Sequence, residues 1–204
     1  MNREQALEVV NQHITNPNML KHMLATEAVM RALARRFGED EERWGLAGLL
    51  HDADAEIATS EGKEFGVPKR TGNGPTPAGK HAAMAAQGLL VPKLTQNALD
   101  EEITAAIASH NPYTGIRPQG RMGWALCAAD PLTGLIVASA LVLPDKRLTG
   151  LTAESVVKRF SEARFAKGAN REQITACSEL GLTLEEFIVI GLAAMKAMAG
   201  DMGL

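Results

Sequence analysis

From Met122 to Leu143 the chain is almost uniformly apolar and long enough to cross a bilayer, yet Asp130 and Pro131 stand in its middle. A lone aspartate at mid-bilayer costs about 3 kcal/mol on insertion scales, and no second segment of this kind accompanies it. The stretch therefore reads as the central helix of a protein core, and the rest of the chain has to pack around it. Pro131 lacks an N–H, and its ring clashes with the carbonyl four residues back, so a kink or break is expected there. A break would make Asp130 the N-cap of the second half, with Pro131 at its favoured first position.

Composition supports a helical core. Aromatic residues make up only 4% of the 204 positions, while Ala, Leu and Met are abundant, which favours helix over sheet. The length suits one domain, 1–204, able to bury a full core without staples. A net charge of −3 gives no reason to expect nucleic acid or an anionic membrane as partner. Cys127 and Cys177 lie in separate helical patterns without CxxC spacing, which suits a reducing cytoplasm and does not suggest zinc. The polar start, Met1 to Gln5, leads into no apolar run of signal length.

Helices are expected along the whole chain. Asn2 caps a short one to about Gln12, with Gln5 as its capping-box partner. Asn16-Pro17-Asn18 reads as a break before a long helix from about Met19 to Phe37, closed by Gly38. Acidic Glu39 to Glu42 suit the first turn of the next helix, which carries Leu49 and Leu50 up to His51 and Asp52. Residues 53–76, rich in Gly and Pro, read as a lid loop offering Lys69, Arg70 or Lys80 to an anionic substrate. Gly74 to Lys80 imitates a phosphate-binding loop, but two prolines remove the backbone donors that motif needs. His81 opens a helix of small residues. Another helix runs from about Asp100 to His110, where Pro112 disfavours helix at Asn111. Further on, Leu151 to Ala166 is amphipathic and basic, Asn170 and Gln173 cap a short helix, and Thr183 with Glu186 forms a capping box.

Histidines fall into this pattern in a telling way. The chain has five, and four of them (His22, His51, His81 and His110) recur at nearly even intervals on successive helical segments. Core histidines are usually singletons. Four on consecutive helices, with Asp52 beside His51 and Asp130 in the central helix, read as a metal site. His13 ends the first helix without a partner in the pattern and is left out.

The order His22, His51-Asp52, His81, His110, Asp130 resembles the HD superfamily of metal-dependent phosphohydrolases in its two-metal form. The resemblance covers about residues 18–143. Segments such as GLLHDADAE and AADPLTGLIVASALV are similar to a bacterial group of predicted hydrolases within it. It implies an all-α, HD-like helical bundle with a C-terminal helical extension at about 145–204. It further implies that His22, His51, Asp52 and Asp130 hold one divalent metal (Mn, Fe, Co, Ni or Zn), that His81 and His110 hold a second, and that Asp52 bridges them.

Two such cations make a bound water acidic and neutralise phosphoryl oxygens, so the implied activity is hydrolysis of a small phosphate ester, possibly a nucleotide. Many relatives carry Lys or Glu three positions after the HD aspartate; here that position is Ala55. Asp54 or Glu56 is then the candidate proton shuttle, with Asp54 the named catalytic candidate beside Asp52. Similar sites in the superfamily hold two irons and cleave carbon–carbon or carbon–phosphorus bonds with oxygen, so a di-iron oxygenase is the alternative. A non-catalytic, metal-stabilised binding protein is the third.

Overall fold

The computed structural model describes residues 1–56, 99–112 and 116–203, the side chains of 201 and 202 excepted. Of the expected lid, residues 57–76 lie outside the described residues, as do Lys69, Arg70, Lys80 and His81, while 53–56 form a turn running into helix. What is described is helical, with no strand among these residues. The helices are α1 (Arg3–His13), α2 (Pro17–Phe37), α3 (Glu41–Leu50), α4 (Glu101–His110), α5 (Gly120–Leu141), α6 (Ala153–Ser161), α7 (Arg171–Thr175), α8 (Leu184–Ala197) and α9 (Ala199–Met202).

Helix ends follow local chemistry. Asn2 and Gln5 form the expected capping box, as do Thr183 and Glu186. Gly38 closes α2 in the left-handed region at φ 70°, where a side chain would be strained. The Asn16-Pro17 pair, expected as a break, is instead the start of α2. Asn16 accepts from the Asn18 amide, and Pro17 takes the first position, where its missing N–H costs nothing. Asp40 caps α3 and Asp100 caps α4, each accepting from the amide two residues on.

Helix α5 is the hub. It touches α2, α3, α4, α6, α7 and α8, and is buried almost all round, as its unbroken hydrophobicity requires. Among the described residues it is the one helix long and apolar enough to span a membrane, but 67% of that window is buried inside the protein. It is the core helix. The helix also runs without a break through Pro131, so the capping reading of Asp130 is corrected: Asp130 is an interior helical residue. Beside it the Thr133 hydroxyl donates to the Asp130 carbonyl at 2.8 Å. Leu126, Leu132, Leu135 and Ile136 on α5 are fully buried with Met23 and Leu33 of α2, Leu49 of α3 and Phe187 of α8. Each is worth about 1.5–3 kcal/mol of transfer free energy.

Two close approaches fix the positions of α2 and α3. A Cβ on Gly48 would lie 2.8 Å from the Glu27 Cα and the Thr26 carbonyl, so only glycine admits this spacing. Gly45, one turn earlier, leaves room for the Arg31 guanidinium. Arg31 bonds both Glu27, itself 3% exposed, and Glu42. Arg3 of α1 completes the neutralisation of buried Glu27 at 2.6 Å, as a buried carboxylate requires.

Past α5 the expected helix 151–166 is shorter, and the chain turns after Ser161. The cause is Arg171. Its guanidinium donates to the backbone carbonyls of Arg159, Phe160, Phe165, Ala166 and Ala169, drawing the turn around itself. Ala166 takes a positive φ of 43° within that turn.

Candidate metal centre

Five of the six expected ligands converge. His22 comes from the second turn of α2, His51 and Asp52 from the end of α3, His110 from the end of α4 and Asp130 from the middle of α5. The His22 Nε2 is 3.1 Å from the His51 Nε2 and 3.1 Å from the Asp130 Oδ1. Asp52 turns Oδ2 to His51 at 3.5 Å and to His22 at 3.8 Å, and Oδ1 to His110 at 3.6 Å. These donors form two overlapping groups able to hold a metal, His22–His51–Asp130 and His51–Asp52–His110. Donors around one ion at about 2.1 Å stand roughly 3.0–3.4 Å apart, close to the spacings found.

Tautomers decide what those nitrogens do. The His51 Nδ1 donates to the Gly48 carbonyl at 2.8 Å and the His110 Nδ1 to the Ile107 carbonyl at 2.5 Å. A carbonyl only accepts, so in each neutral ring the proton sits on Nδ1 and Nε2 keeps its lone pair. For His22 the reasoning runs through Thr133. Its hydroxyl proton goes to the Asp130 carbonyl, so its oxygen accepts from the His22 Nδ1 at 3.0 Å. Three bare nitrogens and two carboxylates thus face one another, an arrangement that needs cations or added protons between them. The residues present fit a metal.

Without metal, protons take that part. Burial opposes charge on His110, but the adjacent Asp52 carboxylate outweighs it and lifts the imidazole to about 9. Burial likewise opposes charge on His22, and hydrogen bonding to Asp130, with the charges of Asp130 and Asp52, still raises it. His51, wholly enclosed, is pushed by burial down to about 4. Burial works to raise the Asp130 carboxyl, yet the His22 hydrogen bond holds it below the usual range.

Several expectations shift. Asp54, the catalytic candidate beside Asp52, is buried, 1% exposed in the turn that follows His51. Glu56, the other shuttle candidate, is occupied elsewhere, accepting from the Thr15 amide and hydroxyl and the Asn16 amide where α2 begins. Cys127 and Cys177 are free and buried. Gln173 does not cap α7, which Asn170 does. Its side-chain amide donates to the His110 carbonyl at 2.8 Å and lies 3.5 Å from the Cys127 sulfur, tying the end of α4 to α5. Sequence reasoning missed Gln173 because nothing in the pattern links positions 63 residues apart. Thr133 could have been found, since it lies one helical turn after Asp130.

Residues 19–138 match the family model of the HD domain. This chain belongs to the HD domain family. The match spans the helices that bring all five described ligands, and membership indicates metal-dependent, hydrolase-type chemistry. Curated proteins and solved structures gave no match to this HD protein.

Proposed function

We propose that this HD protein is a cytoplasmic, metal-dependent phosphohydrolase of a small anionic phosphate ester. His22, His51, Asp52, His110 and Asp130 together with His81 would hold two divalent cations. The observation that supports it best is the placement of Asp52, whose two oxygens are directed to different groups of imidazoles. A carboxylate so placed can serve two ions at once. When bound, such ions make a water acidic at neutral pH and neutralise charge on phosphoryl oxygens. A donor set rich in imidazole suits Mn, Fe, Co, Ni or Zn, whereas magnesium favours oxygen.

The protein's own groups do the rest. The Nδ1 hydrogen bonds hold each ring with Nε2 inward, so little has to reorganise when a ligand arrives. Asp54, buried two residues after Asp52, is assigned to hold or pass a proton. Lys69, Arg70 and Lys80 are assigned to the anionic ester. The chain is read as one domain, 1–204, whose extension at 145–204 braces the site through Gln173.

The test is to purify the chain without chelator, measure its metals and screen phosphate esters for phosphate release. Two equivalents of a divalent metal and metal-dependent release are expected. Iron with a mixed-valent EPR signal, and no phosphate from any ester, would replace this reading with a di-iron oxygenase. Metal that raises only the melting temperature would make the centre structural.

A further inference from the structure

A groove of about 460 Å³ lies between α2 and α5, a volume within the roughly 300–1,000 Å³ typical of small-molecule sites. His22 and Thr133 line it and also belong to the metal cluster or its support. On α5, Asp130, Thr133, Val137 and Leu141 follow one another at intervals of three or four, so they share a stripe. From Thr133 to Leu141 that stripe rises roughly 12 Å. The groove thus continues the face of α5 that carries Asp130. The cluster residues on this side are also its most open: His22 and Asp130 are 25% and 26% exposed, against 0% and 3% for His51 and His110.

The lining chemistry is aliphatic. Ala25, Val137, Ala138 and Leu141 supply apolar walls, and Leu141 is 48% exposed, a large apolar side chain left open to solvent. Gly134 leaves space, since a Cβ there would meet nothing within 4 Å. Among the described lining residues the other polar side chains are Asn18, Lys21 and Thr133, and the Thr133 hydroxyl is already committed to His22 and Asp130. No Phe, Tyr or Trp is among these described residues, so they offer a nucleobase no such ring to stack on and few partners for its edge. Lys21 adds one positive charge that suits an anionic ester.

We propose that this groove binds the organic part of the substrate, and that the substrate is the phosphate ester of an aliphatic alcohol, not a nucleotide. This rests on the hydrolase reading above. Hydrolysis joins a water oxygen to phosphorus, breaks the bond from phosphorus to the alkyl oxygen and gives that oxygen a proton. Inorganic phosphate and the free alcohol result.

The test compares methyl, butyl, hexyl and octyl phosphate with adenosine 5′-monophosphate, all below micellar concentration. On the metal-loaded chain, KM is expected to fall roughly two- to fourfold per added methylene, the burial of one CH2 group, while kcat changes little. Gly134→Met places a side chain in the groove and should flatten that dependence. Calorimetry of the same alkyl phosphates on chelator-treated chain reads the groove without turnover, and longer chains should again bind more tightly in the parent than in Gly134→Met. If chain length matters in calorimetry but no ester is hydrolysed, the groove assignment stands and the hydrolase reading falls. If esters are hydrolysed with a KM indifferent to chain length, or the nucleotide is preferred, the groove proposal falls while hydrolysis stands.

Discussion

The ends of α3 and α4 are built alike and behave in opposite ways. Each finishes on a buried histidine whose Nδ1 donates to the carbonyl three residues back, and each places Nε2 about equally far from an oxygen of Asp52, at 3.5 and 3.6 Å. Yet His51 is held at about 4 and His110 at about 9. Position within the cluster makes the difference. His51 is the middle ring, with His22 5.0 Å away on one side and His110 5.1 Å on the other. Charge on it would face two neighbouring imidazoles, while His110, at the end of the row, answers mainly to the Asp52 carboxylate. Similar local geometry does not fix a proton; the company does.

Removing Asp52 should erase the contrast most completely. Asp52→Ala is expected to abolish occupancy of both metal positions, measured by elemental analysis of protein purified without chelator. Two retained equivalents would end its bridging role. In metal-free protein, NMR titration should place His110 near 9 and His51 near 4. Values clustered near the ordinary histidine pKa would mean the rings are not packed together. The linked stability has two signs. The His110 contribution is full below about 6.5 and is lost as pH rises through 9. The His51 contribution is full above about 6.5 and is lost as pH falls toward 4. These two groups therefore favour maximal apo stability near pH 6.5, readable in urea melts.

Smaller effects test how each helix end is held. Gly48→Ala would drive a Cβ to 2.8 Å from the α2 backbone and should cost about 1–3 kcal/mol. Gly123→Ala on α5 meets Pro118 and Ser109 only at 3.6 Å, and should be neutral or stabilising by up to about 1 kcal/mol. Urea melts of the pair would show whether the α2–α3 contact is the tighter one. Gln173→Ala removes the donor to the His110 carbonyl and should cost about 1 kcal/mol. It should also weaken metal binding more than a remote substitution of equal stability cost does.

The helices were legible because caps and breakers act locally: Asn2, Gly38, Asp100 and Thr183 each mark a terminus by chemistry within a turn or two. The clustering of the candidate ligands was legible because histidine and aspartate are rare in apolar helices, so their repetition carries information. What stayed hidden depends on distant packing. The tight seat of Gly48 on α2, the reach of Gln173 across 63 positions and the burial of Asp54 have no periodic signature. Pro131 misled in another way, for its penalty is local while the packing that carries α5 unbroken through it is global.

Arg171 holds its surroundings mostly through the main chain, with the Phe160 ring as a side-chain partner 5.6 Å from its guanidinium. A guanidinium whose five acceptors are peptide oxygens makes no demand on which side chains those peptides carry. The exposed positions Ser161, Ala163, Arg164, Lys167 and Gly168 should therefore accept wide sequence variation so long as the path is kept, unlike Phe160, Phe165, Ala166 and Ala169, which pack inward, while lysine, with one nitrogen in place of a fork, is a poor substitute at 171. That makes the turn a natural place to graft a tag or a reporter peptide.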